Sequence, residues 1–136
     1  MYPEELVLPM KGELTQNGFE DLRTPEAVEA LLEKKGTTLL VVNSVCGCAA
    51  GAARPGVLLS LMGDNKPNNA GTVFAGFDKD ATDVARSRML PFPPSSPSVA
   101  LFKDGELVHM VERHHIEGRT AEMIAENLKT AYEEYC

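Results

Sequence analysis

Residues 37–53, TTLLVVNSVCGCAAGAA, decide how this chain folds. The run from Thr37 to Val42 is almost entirely β-branched or aliphatic, which is the pattern of a strand buried on both faces of a sheet. The alanine-rich run that starts at Ala49 favours a helix. Cys46 and Cys48 therefore lie where a buried strand gives way to a helix.

Strands and helices alternate on both sides of this stretch. Further strands are predicted at residues 72–77, 98–102 and 106–113, the last two forming a hairpin around Lys103-Asp104-Gly105. Helices are predicted at residues 4–14, at 24–36 between a Thr24 cap and Gly36, at 49–62 with interruptions at Gly51 and Pro55-Gly56, at 78–90, and from Thr120 onward. This alternation implies a parallel strand pair, and the late hairpin adds antiparallel strands. The sequence predicts one α/β domain over residues 1–136, with a mixed four-stranded sheet and an extra N-terminal helical segment.

Composition and charge narrow the class of function. The 136 residues carry 13 Lys and Arg against 20 Asp and Glu, a formal net charge of −7, so no wide nucleic-acid-binding surface is expected. The chain opens without the positive and apolar regions of a secretory signal, and no apolar run is long enough to cross a bilayer. The expected location is the cytoplasm, with no membrane partner. In that compartment three cysteines point to redox or metal chemistry rather than to structural disulfides.

The position of Cys46 predicts a reactive thiol. A thiol at a helix N-terminus faces unpaired backbone N–H groups and the positive end of the helix dipole, and both stabilise a thiolate. Cys46 is therefore predicted to have a depressed pKa and to act as the nucleophile, with Cys48 as its partner thiol. A disulfide across one residue closes a tight ring, for which Gly47 supplies backbone freedom and whose strain favours the reduced form.

Two other interpretations of the cysteine pair remain open from the residues alone. Cysteines in such apolar surroundings are often inert packing residues. Alternatively, the pair would join two histidines in a zinc-binding module with the ligands Cys46, Cys48, His114 and His115. The cysteine spacing is short for a zinc site, and adjacent histidines make joint ligation awkward.

Several motifs together resemble a known family. A strand that enters Cys46-Gly47-Cys48 at a helix start, and Ser96-Pro97-Ser98-Val99 leading into the late hairpin, resemble a thioredoxin-like domain, which is a three-layer sandwich. More narrowly, the chain resembles the bacilliredoxin family almost from end to end. The motifs that carry this resemblance are Cys46-Gly47-Cys48-Ala49, Ala53-Arg54-Pro55, Phe74-Ala75-Gly76, Asp78-Lys79 and His114-His115-Ile116-Glu117-Gly118-Arg119.

The resemblance implies a thiol–disulfide oxidoreductase that removes bacillithiol from mixed disulfides on proteins, or a disulfide isomerase of the same fold. Carried onto this chain, Cys46 attacks the mixed disulfide and takes up the low-molecular-weight thiol, and Cys48 or a second thiol molecule then frees it. The implied partners are bacillithiolated or disulfide-bonded proteins, with bacillithiol as co-substrate and no bound cofactor or metal. One departure concerns the strand before the motif, which lacks the buried acid of thioredoxins and ends in Asn43.

The resemblance also implies substrate contacts beyond the two thiols, at Gly47, Ser96, Pro97, His114, Glu117 and Arg119. The Ser96–Pro97 peptide bond is expected to be cis. The last three residues follow the final strand, whose end should reach the cysteine side of the sheet. There they either line the thiol pocket or form a solvated polar loop.

The third cysteine, Cys136, is expected to stand apart from the other two. The final helix should start near the cysteine side of the sheet and run away from it for roughly 24 Å. Because a disulfide needs Cα atoms within about 7 Å, Cys136 is predicted to be an exposed thiol that cannot bridge Cys46 or Cys48.

Overall fold

The computed structural model describes all 136 residues and arranges six helices around a single sheet. The helices are α1 (Glu4–Thr15), α2 (Pro25–Leu32), α3 (Arg54–Ser60), α4 (Lys79–Ser87), α5 (Arg113–Ile116) and α6 (Ala121–Tyr135), and a π-helical segment, Ala49–Ala53, leads directly into α3. The strands are β1 (Glu20–Asp21), β2 (Thr37–Asn43), β3 (Asn69–Phe74), β4 (Ser98–Lys103) and β5 (Glu106–Val111). None of the helices has the length and apolar character needed to span a membrane.

The sheet is mixed and has the strand order β1-β3-β2-β4-β5. Strand β3 runs parallel to both β1 and β2, whereas β4 runs antiparallel to β2 and to β5. The predicted α/β class is therefore confirmed, but the sheet has five strands rather than four. The additional strand, β1, has two residues and both are exposed, so no apolar alternation marks it in the sequence.

Helices cover both faces of the sheet, which explains why β2 is buried along its whole length. Leu39 and Val41 point into a core shared with α1, α3 and α6. Leu40 and Val42 point into a second core shared with α2 and α4. The two cores hold 16 and 13 buried residues, so neither face dominates and the sheet is the middle of three layers.

The segment after the cysteines is more continuous than its sequence predicts. The sequence indicates breaks at Gly51 and Pro55-Gly56, but helical structure runs without interruption from Ala49 to Ser60. Pro55 falls in the first turn of α3, where a missing N–H costs little. Gly56 is needed for packing, since a Cβ there would lie 2.7 Å from Cβ of Ile124 in α6.

Two strands end earlier than predicted, in each case because a new turn begins. The N–H groups of Phe77 and Asp78 both bond to the carbonyl of Phe74, which ends β3. Strand β5 ends at Val111 because Glu112 starts the unpredicted helix α5 in a reciprocal capping box with His115. Since β5 runs parallel to β2, α5 begins at the same edge of the sheet as the cysteine pair.

Candidate active site

Strand β2 delivers the chain to the cysteine pair through a short, hydrogen-bonded loop. The backbone N–H of Ser44 donates to Oδ1 of Asn43 at 2.9 Å, and the N–H of Cys46 donates to Oγ of Ser44 at 3.1 Å. The N–H groups of Ala49 and Ala50 then both donate to the carbonyl of Cys46, at 2.9 and 3.3 Å. Cys46 therefore lies at the start of the helical segment, as its position in the sequence predicts.

The two thiols lie within hydrogen-bond distance of each other. Sγ of Cys46 is 2.8 Å from Sγ of Cys48, and the backbone N–H of Cys48 also points to Sγ of Cys46, at 3.4 Å. Both cysteines are half-buried free thiols. Gly47 between them is exposed, and a Cβ there would meet no atom within 4 Å. The loop consequently leaves the sulfur pair open to an incoming disulfide.

The surroundings shift the two thiol pKa values in opposite directions. The thiol of Cys48 donates a hydrogen bond that lowers the pKa of Cys46, and the backbone N–H groups of Cys48 and Ala49 and the positive charge of Arg113 act in the same direction, against a smaller rise from burial. Burial raises the pKa of Cys48 to about 11, helped by its hydrogen bond to Cys46 and by the charge there. Cys46 is therefore the thiol of the pair that ionises more readily, and Cys48 is placed to donate a hydrogen bond to it.

A buried arginine holds the loop from beneath. Arg54, at the start of α3, is only 2% exposed. Its Nη1 atom donates to Oδ1 of Asn43 and to the carbonyl of Ser44, each at 3.0 Å, and its Nε atom lies 3.0 Å from a carboxylate oxygen of Glu13, as an ion pair rather than a directed hydrogen bond. Asn43, the last residue of β2, serves as an acceptor for Arg54. The two hydrogen bonds and the ion pair of Arg54 therefore fix the backbone of the loop before Cys46.

On its other side the loop borders an open cleft of about 490 Å³. Nine residues line it: Tyr2, Ser44, Val45, Cys46, Ala75, Gly76, Arg86, Ser96 and Arg113. The ring of Tyr2 forms one wall and packs against Gly76, where a Cβ would lie 2.5 Å from the ring. The cleft gives a small molecule access to Sγ of Cys46.

The loop that leads to Pro97 also borders the cleft, and Ser96 is among the lining residues. The Ser96–Pro97 peptide bond is cis, as predicted, and so is the Leu90–Pro91 bond, which the sequence did not single out. Pro97 is buried directly before β4, whose first residue pairs with the end of β2. The carbonyl of Ser96 accepts a hydrogen bond of 3.2 Å from Nη1 of Arg113.

Arg113 ties three parts of the site together. Besides its bond to Ser96, its backbone N–H donates to Oγ of Ser95 at 3.3 Å, and its Nε donates to a carboxylate oxygen of Glu117 at 2.6 Å. Its charge lowers the pKa of the Cys46 thiol. Arg113 thus links the proline loop to α5 and places a cation at the edge of the cleft.

The six predicted contact residues fall into two groups. Gly47 lies between the two thiols, Ser96 lines the cleft with the buried Pro97 next to it in the chain, and Glu117 is linked to the cleft through Arg113. His114 and Arg119 are exposed and do not line the cleft. The structure adds three residues that the sequence reasoning missed: Tyr2, Arg86 and Arg113. Arg113 could have been predicted from the sequence, because it follows β5, which ends at the same edge of the sheet as the cysteine pair.

The four ligands of the zinc alternative are not brought together. One cluster in the chain could hold a metal ion, formed by Glu112, His114 and His115, with ligand atoms within 4.8 Å of one another. Neither cysteine belongs to it. Within it, Nδ1 of His115 accepts the N–H of Glu112 at 3.1 Å, so one imidazole is already used in the helix cap.

Comparison with known proteins identifies close relatives. Residues 2–136 match a family model described as disulphide isomerase. The bacilliredoxin of Cytophaga hutchinsonii is 63% identical over 134 residues, which are 98% of this chain and 99% of that protein. Bacilliredoxins of Halalkalibacterium halodurans and Salinibacter ruber are each 52% identical, over 99% of this chain and over 94% and 81% of their own lengths.

Solved structures with a similar fold include several thioredoxins. Mitochondrial thioredoxin 3 of Saccharomyces cerevisiae matches with a TM-score of 0.61 and 14% identity, over 90% of this chain and 98% of that one. The thioredoxin of Fasciola hepatica matches with a TM-score of 0.61 and 15% identity, over 87% of this chain and 100% of that one. These matches establish the thioredoxin fold.

Proposed function

This chain belongs to the bacilliredoxin family, whose fold and paired cysteines are those of a thiol–disulfide oxidoreductase, and we propose that it removes bacillithiol from mixed disulfides on proteins. The observation that carries the proposal is the hydrogen-bonded thiol pair at the mouth of an open cleft, with the pKa of Cys46 lowered and that of Cys48 raised. The proposed location is the cytoplasm, where thiols stay reduced.

In the first step the thiolate of Cys46 attacks the bacillithiol sulfur of the mixed disulfide. A new bond forms between Sγ of Cys46 and that sulfur, the substrate's S–S bond breaks, and its electron pair leaves on the protein thiolate, which takes up a proton. The open loop at Gly47 supports this step by leaving space for a bulky protein on the far side of the disulfide. Bacillithiol then occupies the cleft.

In the second step the mixed disulfide on Cys46 is resolved. The thiol of Cys48 loses a proton and its sulfur attacks Sγ of Cys46, which expels bacillithiol as a thiolate and leaves a Cys46–Cys48 disulfide. Two of the causes that raise the pKa of Cys48, its hydrogen bond to Cys46 and the charge there, vanish once Cys46 is modified. Cys48 therefore becomes easier to deprotonate only after the first step. A second bacillithiol molecule is the alternative attacking thiol.

Disulfide isomerisation is the second candidate function. It requires a mixed disulfide between Cys46 and a protein that survives long enough for a second protein thiol to attack it. Burial, the largest cause of the raised pKa of Cys48, persists in the mixed disulfide and favours such survival, because a protonated thiol resolves slowly. The two functions share the first step and differ in which thiol completes the second.

The decisive experiment is incubation of the reduced protein with a bacillithiolated model protein, with each cysteine analysed by mass spectrometry. The expected result is bacillithiol on Cys46 and a free thiol on the model protein, with the Cys48→Ser variant accumulating the adduct. A scrambled-disulfide substrate in parallel measures isomerisation. If the model protein keeps its bacillithiol while other disulfides are reduced, the proposed substrate is wrong.

A further inference from the structure

An arginine without any partner lies in the cleft beside Cys46. Arg86, in the last turn of α4, lines the cleft with the thiol, and its Nε atom is buried with no hydrogen-bond acceptor. Its guanidinium also forms no ion pair with any carboxylate of the chain. A buried charged donor left unpaired costs free energy, so its retention needs an explanation.

The other cations of the chain do not share this position. Six of them form ion pairs: Lys11, Arg23, Arg54, Lys79, Arg88 and Arg113. The remaining six are exposed, where water satisfies their donors: Lys34, Lys35, Lys66, Lys103, Arg119 and Lys129. Arg86 alone is half-buried and unpaired.

The cleft itself is positively charged in a chain that is acidic overall. Two of its nine lining residues are arginines and none is acidic, although the chain carries 20 Asp and Glu against 13 Lys and Arg. Arg113 already donates to Glu117 and to the carbonyl of Ser96. Arg113 is thus committed through two of its three side-chain nitrogens, whereas no donor of Arg86 is engaged by the protein.

We propose that Arg86 binds a carboxylate of the low-molecular-weight thiol that becomes attached to Cys46. This inference rests on the proposed function, because the first step leaves that thiol bonded to Sγ of Cys46 with its body in the cleft. A planar guanidinium matches a carboxylate in a two-bond arrangement, and a partly desolvated one gains more from it than an exposed one. Arg86 thus selects anionic thiols without contacting the reacting sulfur atoms.

The test uses small symmetrical disulfides of three charges: mercaptopropionate (anionic), mercaptoethanol (neutral) and cysteamine (cationic). The protein carries Cys48→Ser, so that the adduct on Cys46 persists and intact-mass measurement gives its rate and yield. Each rate is divided by the rate of the same disulfide with a small free thiolate, which removes intrinsic reactivity. With Arg86 present, the anionic probe should react fastest and the cationic probe slowest.

In this background Arg86→Gln should slow the anionic probe about tenfold, as expected for one charge-assisted hydrogen bond, and the neutral probe by less than about twofold. Arg86→Lys should recover part of the difference. The matched control is Lys103→Gln, which removes the same charge from an exposed site at the opposite edge of the sheet and should change nothing. A parallel arm with the disulfides of bacillithiol and glutathione, both carboxylated, shows which thiol depends more on Arg86.

Equal loss with all three probes would make Arg86 a structural residue and overturn the inference, and so would no loss at all. Should Arg86→Gln fail to fold, the order of the probes with Arg86 intact decides, because an absent preference for the anionic probe contradicts a carboxylate site. Failure of the proposed function is a separate result, since the bacillithiolated model protein would then keep its bacillithiol whatever the order of the three small probes.

Discussion

The two sides of the cysteine loop use the same residue type for opposite purposes. On the buried side, Arg54 donates hydrogen bonds to Asn43 and Ser44 and forms an ion pair with Glu13. On the cleft side, Arg86 has no partner at all. The comparison shows that an arginine with paired donors holds the fold, whereas an arginine with unpaired donors is free to bind a ligand. The sequence alone does not distinguish the two cases.

The difference also divides the chemistry. The buried side fixes the backbone before Cys46 and so determines where Sγ lies. The cleft side determines the charge around Sγ, through Arg113, and the space available to a substrate. Changes on the buried side should therefore alter stability, and changes on the cleft side should alter reactivity at constant stability.

The largest effect on activity is expected from substitution of Cys46, the thiol that lines the cleft. Cys46→Ser should lower disulfide reduction roughly a thousandfold or more, because a hydroxyl does not ionise near neutral pH. Cys48→Ser should still form the mixed disulfide and accumulate it. Reduction of a mixed disulfide and alkylation by iodoacetamide at neutral pH measure both, with thermal unfolding as the check that each variant is folded. Equal loss of alkylation in the two variants would contradict the assignment of the nucleophile.

The second prediction tests the buried side directly. Arg54→Met should lower the free energy of unfolding by roughly 3 kcal/mol, since it leaves the carbonyl of Ser44 buried without this donor, takes one of two donors from Oδ1 of Asn43 and removes the ion pair with Glu13. The matched variant Arg86→Met removes an unpaired donor and should change stability by less than about 1 kcal/mol. Urea unfolding measures both. A larger loss for Arg86→Met than for Arg54→Met would reverse the comparison between the two sides.

The fold was largely predictable because its signals are local. The buried run of β2, the caps at Thr24 and Thr120 and the hairpin around Lys103-Asp104-Gly105 all lie where the sequence places them. Strand β1 was not predictable, because two exposed residues carry no pattern. The unbroken helical run from Ala49 to Ser60 begins with a π-helical segment, for which the sequence carries no signal.

The site was predictable at the sulfur atoms and less so around them. The cysteine pair is recognisable from two thiols within one turn, and the cis bond before Pro97 followed from the resemblance. The sequence pointed to His114 and Arg119 as charged residues of the thiol pocket, whereas Arg113 lines the cleft. The sequence does not show that α5 begins immediately after β5. No local pattern could place Arg86, since it reaches the cleft from another layer of the fold.

A smaller effect is expected from the charge of Arg113, which lowers the pKa of Cys46 from the cleft side of the loop. The pKa of Cys46 is lowered, so its thiolate, and with it the alkylation rate, persists at pH values below those of an ordinary cysteine and is lost only as the pH falls through the lowered pKa. Arg113→Gln removes a cation that stabilises the thiolate, so the rate profile should shift to higher pH. At neutral pH the rate should fall less than about threefold, because the pair is partly exposed to solvent.

The pH dependence of alkylation, followed by mass spectrometry at each cysteine, measures this shift. While Cys46 is unmodified, Cys48 should react appreciably only as the pH approaches about 11. The control is Arg88→Gln, which follows the same helix as Arg86 and is paired with Glu29 away from the cleft, and it should leave the profile in place. No shift, or a shift to lower pH, in Arg113→Gln would show that the charge of Arg113 does not stabilise the thiolate of Cys46.

The smallest effect is expected at the third cysteine, which lies outside both sides of the loop. Helix α6 starts where Ala121 and Ile124 meet Gly56 at the beginning of α3, and its 15 residues cover roughly 22 Å. Near its other end, the hydroxyl of Tyr132 bonds to Ser60 at the end of α3, and the exposed Cys136 follows.

Cys136 therefore lies near one end of the packed helices α3 and α6, whereas Cys46 lies before the other end. Their separation is far beyond the distance of about 7 Å between Cα atoms that a disulfide allows. Cys136→Ser should leave disulfide reduction unchanged and alter the free energy of unfolding by less than about 0.5 kcal/mol. Peptide mapping of the oxidised monomer should find Cys136 unpaired. A Cys46–Cys136 or Cys48–Cys136 bridge within one chain would show that α6 unwinds under oxidising conditions, and the redox chemistry would then no longer be confined to the cleft side of the loop.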